Sequence, residues 1–261
     1  MPKGSVPVMP RQRYASEQYQ STEIYQSESR LLRSYYWKRI TESIDIVLPH
    51  LDSPEKSLIL DLGCGSGMIL PTIRHYMGET VAADLFPFDA ADIVRGEKLE
   101  GVEVLGTDGR RLPFSAEAFD VVFLLDILEH VSENKEALLD ECRRVTRNGG
   151  YVVCSFPVET GPVVIIRQLG RRLFGLEGNR QSFHHIAMHA LSGHTQGGMA
   201  KHHTEEHAHE GYDYKQDLDL VRMRFSPVSW SHVPFKHFPF LSPSFVFLGR
   251  KDETPVFDAS K

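Results

Sequence analysis

Cysteine is scarce in this chain of 261 residues, where Cys64, Cys142 and Cys154 are the whole complement. An odd number, wide spacing and no C-x-x-C pair exclude a disulfide scaffold, and free thiols point to a reducing compartment. No apolar run approaches the roughly 20 residues of a spanning helix. The opening stretch, MPKGSVPVMPRQRY, lacks the continuous apolar core of a signal peptide. An excess of positive charge is also missing. With 29 Lys and Arg against 35 Asp and Glu the formal charge is −6, which argues against nucleic-acid phosphates as a partner. Together these absences predict a soluble cytoplasmic protein.

What is present is ordinary globular material, 41% apolar and 25% charged. That is enough for a real core and too apolar for a wholly disordered chain. The length fits one domain with a sizeable insertion.

The pattern changes along the chain. Residues 1–27 are polar, with prolines at 2, 7 and 10, and read as a flexible arm, part of which closes over a site. Over 28–50, Leu31, Leu32, Tyr35, Tyr36, Ile40, Ile44, Val47 and Leu48 recur at helical spacing. From 58 to 157 short apolar runs predict strands at 58–62, 80–83, 102–105, 119–125 and 151–156. Helix-forming segments at 66–77 and 132–144 lie between them, the second with Ser132 as its N-cap. Strands alternating with helices imply a parallel sheet with right-handed crossovers. Residues 158–210 break this rhythm and read as an insertion after the fifth strand. Strand-like text returns at 220–230 and 244–250, and 252–261 is a frayed tail.

The sharpest signal is LDLGCGSG at residues 60–67. Glycines at 63, 65 and 67 let the backbone turn tightly and approach a ligand, beside a helix start with open N–H groups. The dinucleotide fingerprint needs G-x-G-x-x-G, but position 68 is Met68. Asp61, two residues before the first glycine, would repel a pyrophosphate and attract an ammonium group. A second acid, Asp84, ends the next strand 21 residues beyond Gly63. In a doubly wound sheet that position can accept both hydroxyls of a ribose. An adenosine carrying an amino-acid tail would satisfy both acids.

At these residues the chain resembles the class I S-adenosylmethionine-dependent methyltransferases, in particular the type 11 group of ubiquinone- and menaquinone-like small-molecule enzymes. The resemblance covers roughly residues 55–157, and less strictly the last strand pair. Asp61, Gly63, Cys64, Gly65 and Gly67 match the family's glycine-rich motif, while Asp84 and Leu85 match the ribose-binding acid and its neighbour. Asp108 falls where the family places the acid that faces the adenine amino group, with Gly109 giving a backbone contact. Leu125 and Asp126 match the stretch that passes the methionine end of the cofactor. The resemblance implies S-adenosylmethionine as cofactor, a small-molecule acceptor and a Rossmann-like α/β fold. Its seven-stranded sheet would have the last strand antiparallel, flanked by helices. The methyltransferase domain would then comprise 28–157 and 211–251, with 158–210 as a helical cap that selects the substrate.

Methyl transfer from a sulfonium is an in-line displacement, so the protein must mainly align the acceptor and exclude water. A base helps a hydroxyl acceptor of high pKa, and His130, just after the fourth strand, is the candidate. Packing at the start of the next helix is the competing role, and Glu129 is another acid nearby. Eight of the 13 histidines fall between 184 and 209, and His203 to His207 even spell H-x-x-E-H. The surroundings are rich in Gly, Gln and Glu, as in a solvated loop, and no metal site is expected. Residues 161–176, GPVVIIRQLGRRLFGL, form a basic amphipathic pattern suited either to a membrane or lipid contact or to packing on the sheet. Two rival readings stay open, a nicotinamide-nucleotide oxidoreductase and a binding or scaffold protein that kept the fold without turnover.

Overall fold

The computed structural model describes residues 4–16, 25–158 and 212–253, the side chains of Leu31 and Leu32 excepted. Helix α1 (Arg30–Asp45) precedes strand β1 (Ile59–Leu62). There follow α2 (Leu70–Tyr76), β2 (Thr80–Asp84), α3 (Phe88–Glu97), β3 (Val102–Gly106), β4 (Phe119–Leu125), α4 (Lys135–Val145) and β5 (Thr146–Pro157). Helix α5 (Tyr214–Arg222), β6 (Ser226–Val233) and β7 (Ser244–Arg250) close the domain.

The sheet order is β3-β2-β1-β4-β5-β7-β6. The first five strands run parallel, and β7 is antiparallel to both its neighbours. This is the expected Rossmann-like sheet with its last strand antiparallel. The carboxyl ends of β1 to β5 therefore share one edge, where ligands of parallel sheets collect.

The sheet is covered on both faces, which is why its central strands read as continuous apolar runs. On β4, Val122 and Leu124 face a core with Leu138, Leu139, Cys142 and Val145 of α4 and Val221 of α5. Val121 and Phe123 face the other core with Ile40 and Ile44 of α1 and Ile73 of α2. Burying each such side chain stabilises by about 1.5–3 kcal/mol relative to exposure.

Several boundaries differ from expectation. Helix α2 starts at Leu70 rather than 66, because Gly67 has φ 76° and cannot belong to a right-handed helix. Helix α4 starts at Lys135, after Asn134 at φ 57°, so Ser132 does not cap it. The largest difference is at 220–230, where the first three residues of the expected strand are the last of a helix and the next three form a turn. Leu218, Val221 and Phe225 are buried at helical spacing, and Asp213 caps α5 by accepting from the Lys215 amide at 3.1 Å. The strand begins only at Ser226.

Residues 4–16 of the arm form neither helix nor strand and lie against α1, α2 and α3. Val158, whose amide donates to the Pro243 carbonyl at 2.9 Å, and Tyr212, whose hydroxyl donates to Asp217 at 2.8 Å, flank residues 159–211. Residues 159–211, on which the expected cap, the basic pattern at 161–176 and the histidine cluster fall, lie outside the described residues. Among the described residues no helix is long and apolar enough to cross a membrane.

Candidate functional site

Beyond β1 the chain turns through Gly63, Gly65 and Gly67 at φ 78°, 53° and 76°. A side chain there would strain the backbone. The Gly63 and Cys64 amides donate to the Ala83 carbonyl at 2.7 and 3.2 Å, which ties the loop to β2. A Cβ on Gly63 would stand 2.1 Å from the Ile127 Cδ1, and one on Gly67 2.7 Å from the Ala90 Cα. The loop is thus pressed between the segment after β4 and α3. Cys64 is buried, and burial with the charges of Asp61 and Asp84 holds its thiol well above the usual range. It is therefore a neutral packing group. Met68, the residue that breaks the dinucleotide fingerprint, lies in the core.

Asp61 is 1% exposed, and its Oδ2 has no hydrogen-bond partner. Burial, and then the charge of Asp84, push its carboxyl up to about 7. Asp84 accepts from the Gly65 amide at 2.9 Å and the Phe86 amide at 3.1 Å. It organises the loop while standing at the edge. Leu85, Phe86 and Phe88 beside it are exposed, and the two phenylalanines had no place in the sequence reading. Asp108 is gripped by Arg110, whose Nε lies 3.0 and 3.1 Å and whose Nη2 lies 2.7 Å from its oxygens. These bonds lower its carboxyl below the ordinary value. At Gly109 a Cβ would meet Leu138 and Leu62 at 3.3–3.4 Å, so a glycine lets this turn lie against the end of β1.

At the end of β4, Leu125 is half-buried and Asp126 has φ 55°. Asp126 accepts from the Ser155 hydroxyl at 2.6 Å and forms an ion pair with Arg39 of α1. Arg39 also donates to the Tyr25 hydroxyl at 2.8 Å and stacks over Tyr36. Its Nε is buried without a hydrogen-bond partner. Sequence reasoning missed Arg39. The available signal was a charged residue inside the apolar stripe of a helix, between Tyr36 and Ile40. His130 is exposed in the one-turn helix Leu128–His130, while Glu129 is buried. Of the aromatics on α1, Trp37 faces the core at 3% exposure. Tyr35 and Tyr36 are half-buried, and the Tyr35 hydroxyl lies 3.2 Å from the Ser244 Oγ.

Asp61, Gly63, Cys64, Gly65, Asp84, Leu85, Asp108, Gly109, Leu125, Asp126 and His130 thus stand along the carboxyl edge of β1 to β4. One buried acceptor atom, the Asp61 Oδ2, and one buried donor atom, the Arg39 Nε, lack hydrogen-bond partners there. Among the described residues no cluster of His, Cys, Asp and Glu could hold a metal ion.

The family model described as a methyltransferase domain matches residues 60–154. A ubiquinone biosynthesis O-methyltransferase of Cereibacter sphaeroides is 29% identical over 99 residues, covering 37% of this chain and 40% of that protein. The chain therefore matches less than half the length of that relative. Among solved structures, a SAM-dependent methyltransferase from Aquifex aeolicus superposes with a TM-score of 0.55 at 15% identity, covering 90% of this chain and 100% of its own. The N-methyltransferase NodS from Bradyrhizobium japonicum, in complex with S-adenosyl-L-homocysteine, gives 0.56 at 12% identity over 92% and 94%. At these identities the structures share the fold.

Proposed function

We propose that this chain, which carries a methyltransferase domain over residues 60–154, transfers a methyl group from S-adenosylmethionine to a small organic acceptor. The observation that carries the reading is the buried Asp61 carboxyl, unpartnered at Oδ2 and poised near neutrality, beneath a loop of three glycines. A carboxylate so buried is costly unless a cation completes it. The cofactor's ammonium group is such a cation.

The other residues fit the same molecule. Asp84 would accept the ribose hydroxyls, Asp108 would face the adenine amino group, and Arg39 would meet the methionine carboxylate. When bound, S-adenosylmethionine supplies a methyl group already activated by its sulfonium charge. The chain's part is alignment and exclusion of water. Asp126 orients Arg39, Ile127 closes over Gly63, and His130 stands where it can take a proton from an acceptor hydroxyl. A lipid-linked, isoprenoid or other specialised small molecule is the acceptor class in this reading. The buried free thiols of Cys64, Cys142 and Cys154 suit a cytoplasmic setting.

Calorimetric titration of S-adenosylhomocysteine tests the reading. Micromolar binding, roughly −8 kcal/mol, is expected for the unmodified protein. Asp84→Ala should weaken it by about 1.5–3 kcal/mol. A folded protein that binds none would overturn the reading. Binding without product release from any acceptor would leave a scaffold.

A further inference from the structure

The arm makes an unusual set of contacts. The Ser5 amide donates to Asp45 at 2.7 Å. The Tyr76 hydroxyl accepts from the Val6 amide at 2.8 Å and donates to the Val6 carbonyl at 3.0 Å. The Thr72 hydroxyl does the same for Val8, at 3.0 Å in each direction. Glu97, 8% exposed, accepts through one oxygen from the Arg11 and Gln12 amides at 2.9 and 3.3 Å and from the Tyr14 hydroxyl at 3.1 Å. The Ser16 hydroxyl bonds to Asp89. Side chains of α1, α2 and α3 thus satisfy backbone groups of a segment that belongs to no helix or sheet.

A second observation points the same way. A Cβ on Gly96 would lie 2.3 Å from the Tyr14 hydroxyl and 2.6 Å from the Gln12 Nε2. Glycine within a helix costs about 0.5–1 kcal/mol relative to alanine, and here it makes room for the arm. The arm crosses from the end of α3 at Glu97 to its first turn at Asp89, towards the carboxyl edge. There Tyr14 and Ala15 enclose a small cavity with Ser66 of the glycine loop, Asp89, Asp92 and Ile93. Further along the chain, the Tyr25 hydroxyl accepts from Arg39 at 2.8 Å.

We propose that residues 5–16 are a strap that positions the glycine loop from behind, so that cofactor exchange requires the strap to lift. Tyr14 and Ser16 are positioning residues in this scheme, acting through Ser66 and α3. The inference rests on the proposed cofactor. By reciprocity, a ligand held by the closed strap must also hold the strap closed.

Two measurements test it. Saturating S-adenosylhomocysteine should slow tryptic cleavage after Arg11 and Arg13 by about fivefold or more, a usual size for such coupling. Stopped-flow release of the same ligand should be faster by about fivefold or more in Gly96→Ala and Tyr76→Phe. Gly96→Ala favours the helix, so loss of fold would not account for its faster release. Ligand binding with unchanged cleavage and unchanged release overturns the strap alone. No binding by the unmodified protein overturns the cofactor reading, and the strap with it.

Discussion

Asp61 and Asp84 stand at the carboxyl side of neighbouring parallel strands, with Asp61 registered opposite Ala82, two residues before Asp84. The charge of Asp84 adds to burial in raising the Asp61 carboxyl to about 7. Two like charges so placed are eased by a cation between them.

This relationship sets a pH dependence. An ammonium ligand prefers ionised Asp61, so S-adenosylhomocysteine should bind roughly tenfold more weakly at pH 6 than at pH 8. Binding near pH 6 should release a proton, visible as a buffer-dependent calorimetric heat. Stability runs the other way. A carboxyl raised in the folded state contributes stability that is present near pH 4 and lost as pH rises through about 7. Against Asp61→Asn, the ligand-free protein should lose relative melting temperature over that window. A flat difference would refute the assignment.

Gly63 carries two constraints at once, a φ of 78° and the Ile127 side chain where a Cβ would go. Gly63→Ala should abolish measurable S-adenosylhomocysteine binding. Combining it with Ile127→Ala should restore binding only in part. The second change removes the clash but leaves backbone strain of about 1–2 kcal/mol. Full recovery in calorimetry would show that the clash was the whole effect.

The Arg39–Asp126 pair joins α1 to the end of β4, at side-chain exposures of 13% and 20%. Removing one partner leaves a largely buried charge, so Asp126→Asn should cost about 3 kcal/mol in denaturant unfolding. Adding Arg39→Met should recover part of that loss. The double variant should nevertheless bind S-adenosylhomocysteine poorly, because the methionine carboxylate has lost its cation. Stability that returns together with full affinity would remove Arg39 from the site.

At the start of α5, Asp217 is 4% exposed and meets Lys135 at 2.7 and 2.8 Å and the Tyr212 hydroxyl at 2.8 Å. Tyr212→Phe removes one hydrogen bond to a charge and should lower stability by about 1.5–3 kcal/mol. S-adenosylhomocysteine affinity should not change, since these groups hold the start of α5. Weakened affinity would place Tyr212 in the cofactor site.

Much of the fold was legible because local chemistry and global fold agree. The strands at 119–125 and 244–250 match their observed limits, being apolar runs bounded by turn residues. The misread stretch at 220–230 shows the limit. There the strand-like text begins inside a helical stripe of Leu218, Val221 and Phe225, and the Asp213 cap together with packing against the α4 core decides for helix as far as Arg222. Arg39, Glu97 and Gly96 belong to no local motif. Each owes its place to a partner 80 or more residues away, Asp126 for Arg39 and the arm for the others.

By itself the sequence determined the order of the strands, the glycine turn and the placing of the acids at 61, 84 and 108 at or near strand ends, because each depends on near neighbours and on the two-residue repeat. The tertiary structure alone decided that Asp61 lies buried near neutrality, that Asp126 is committed to Arg39, and that the arm is laid over Gly96. Burial and long-range charge depend on what the folded chain places nearby, and that proximity is absent from any local window of residues.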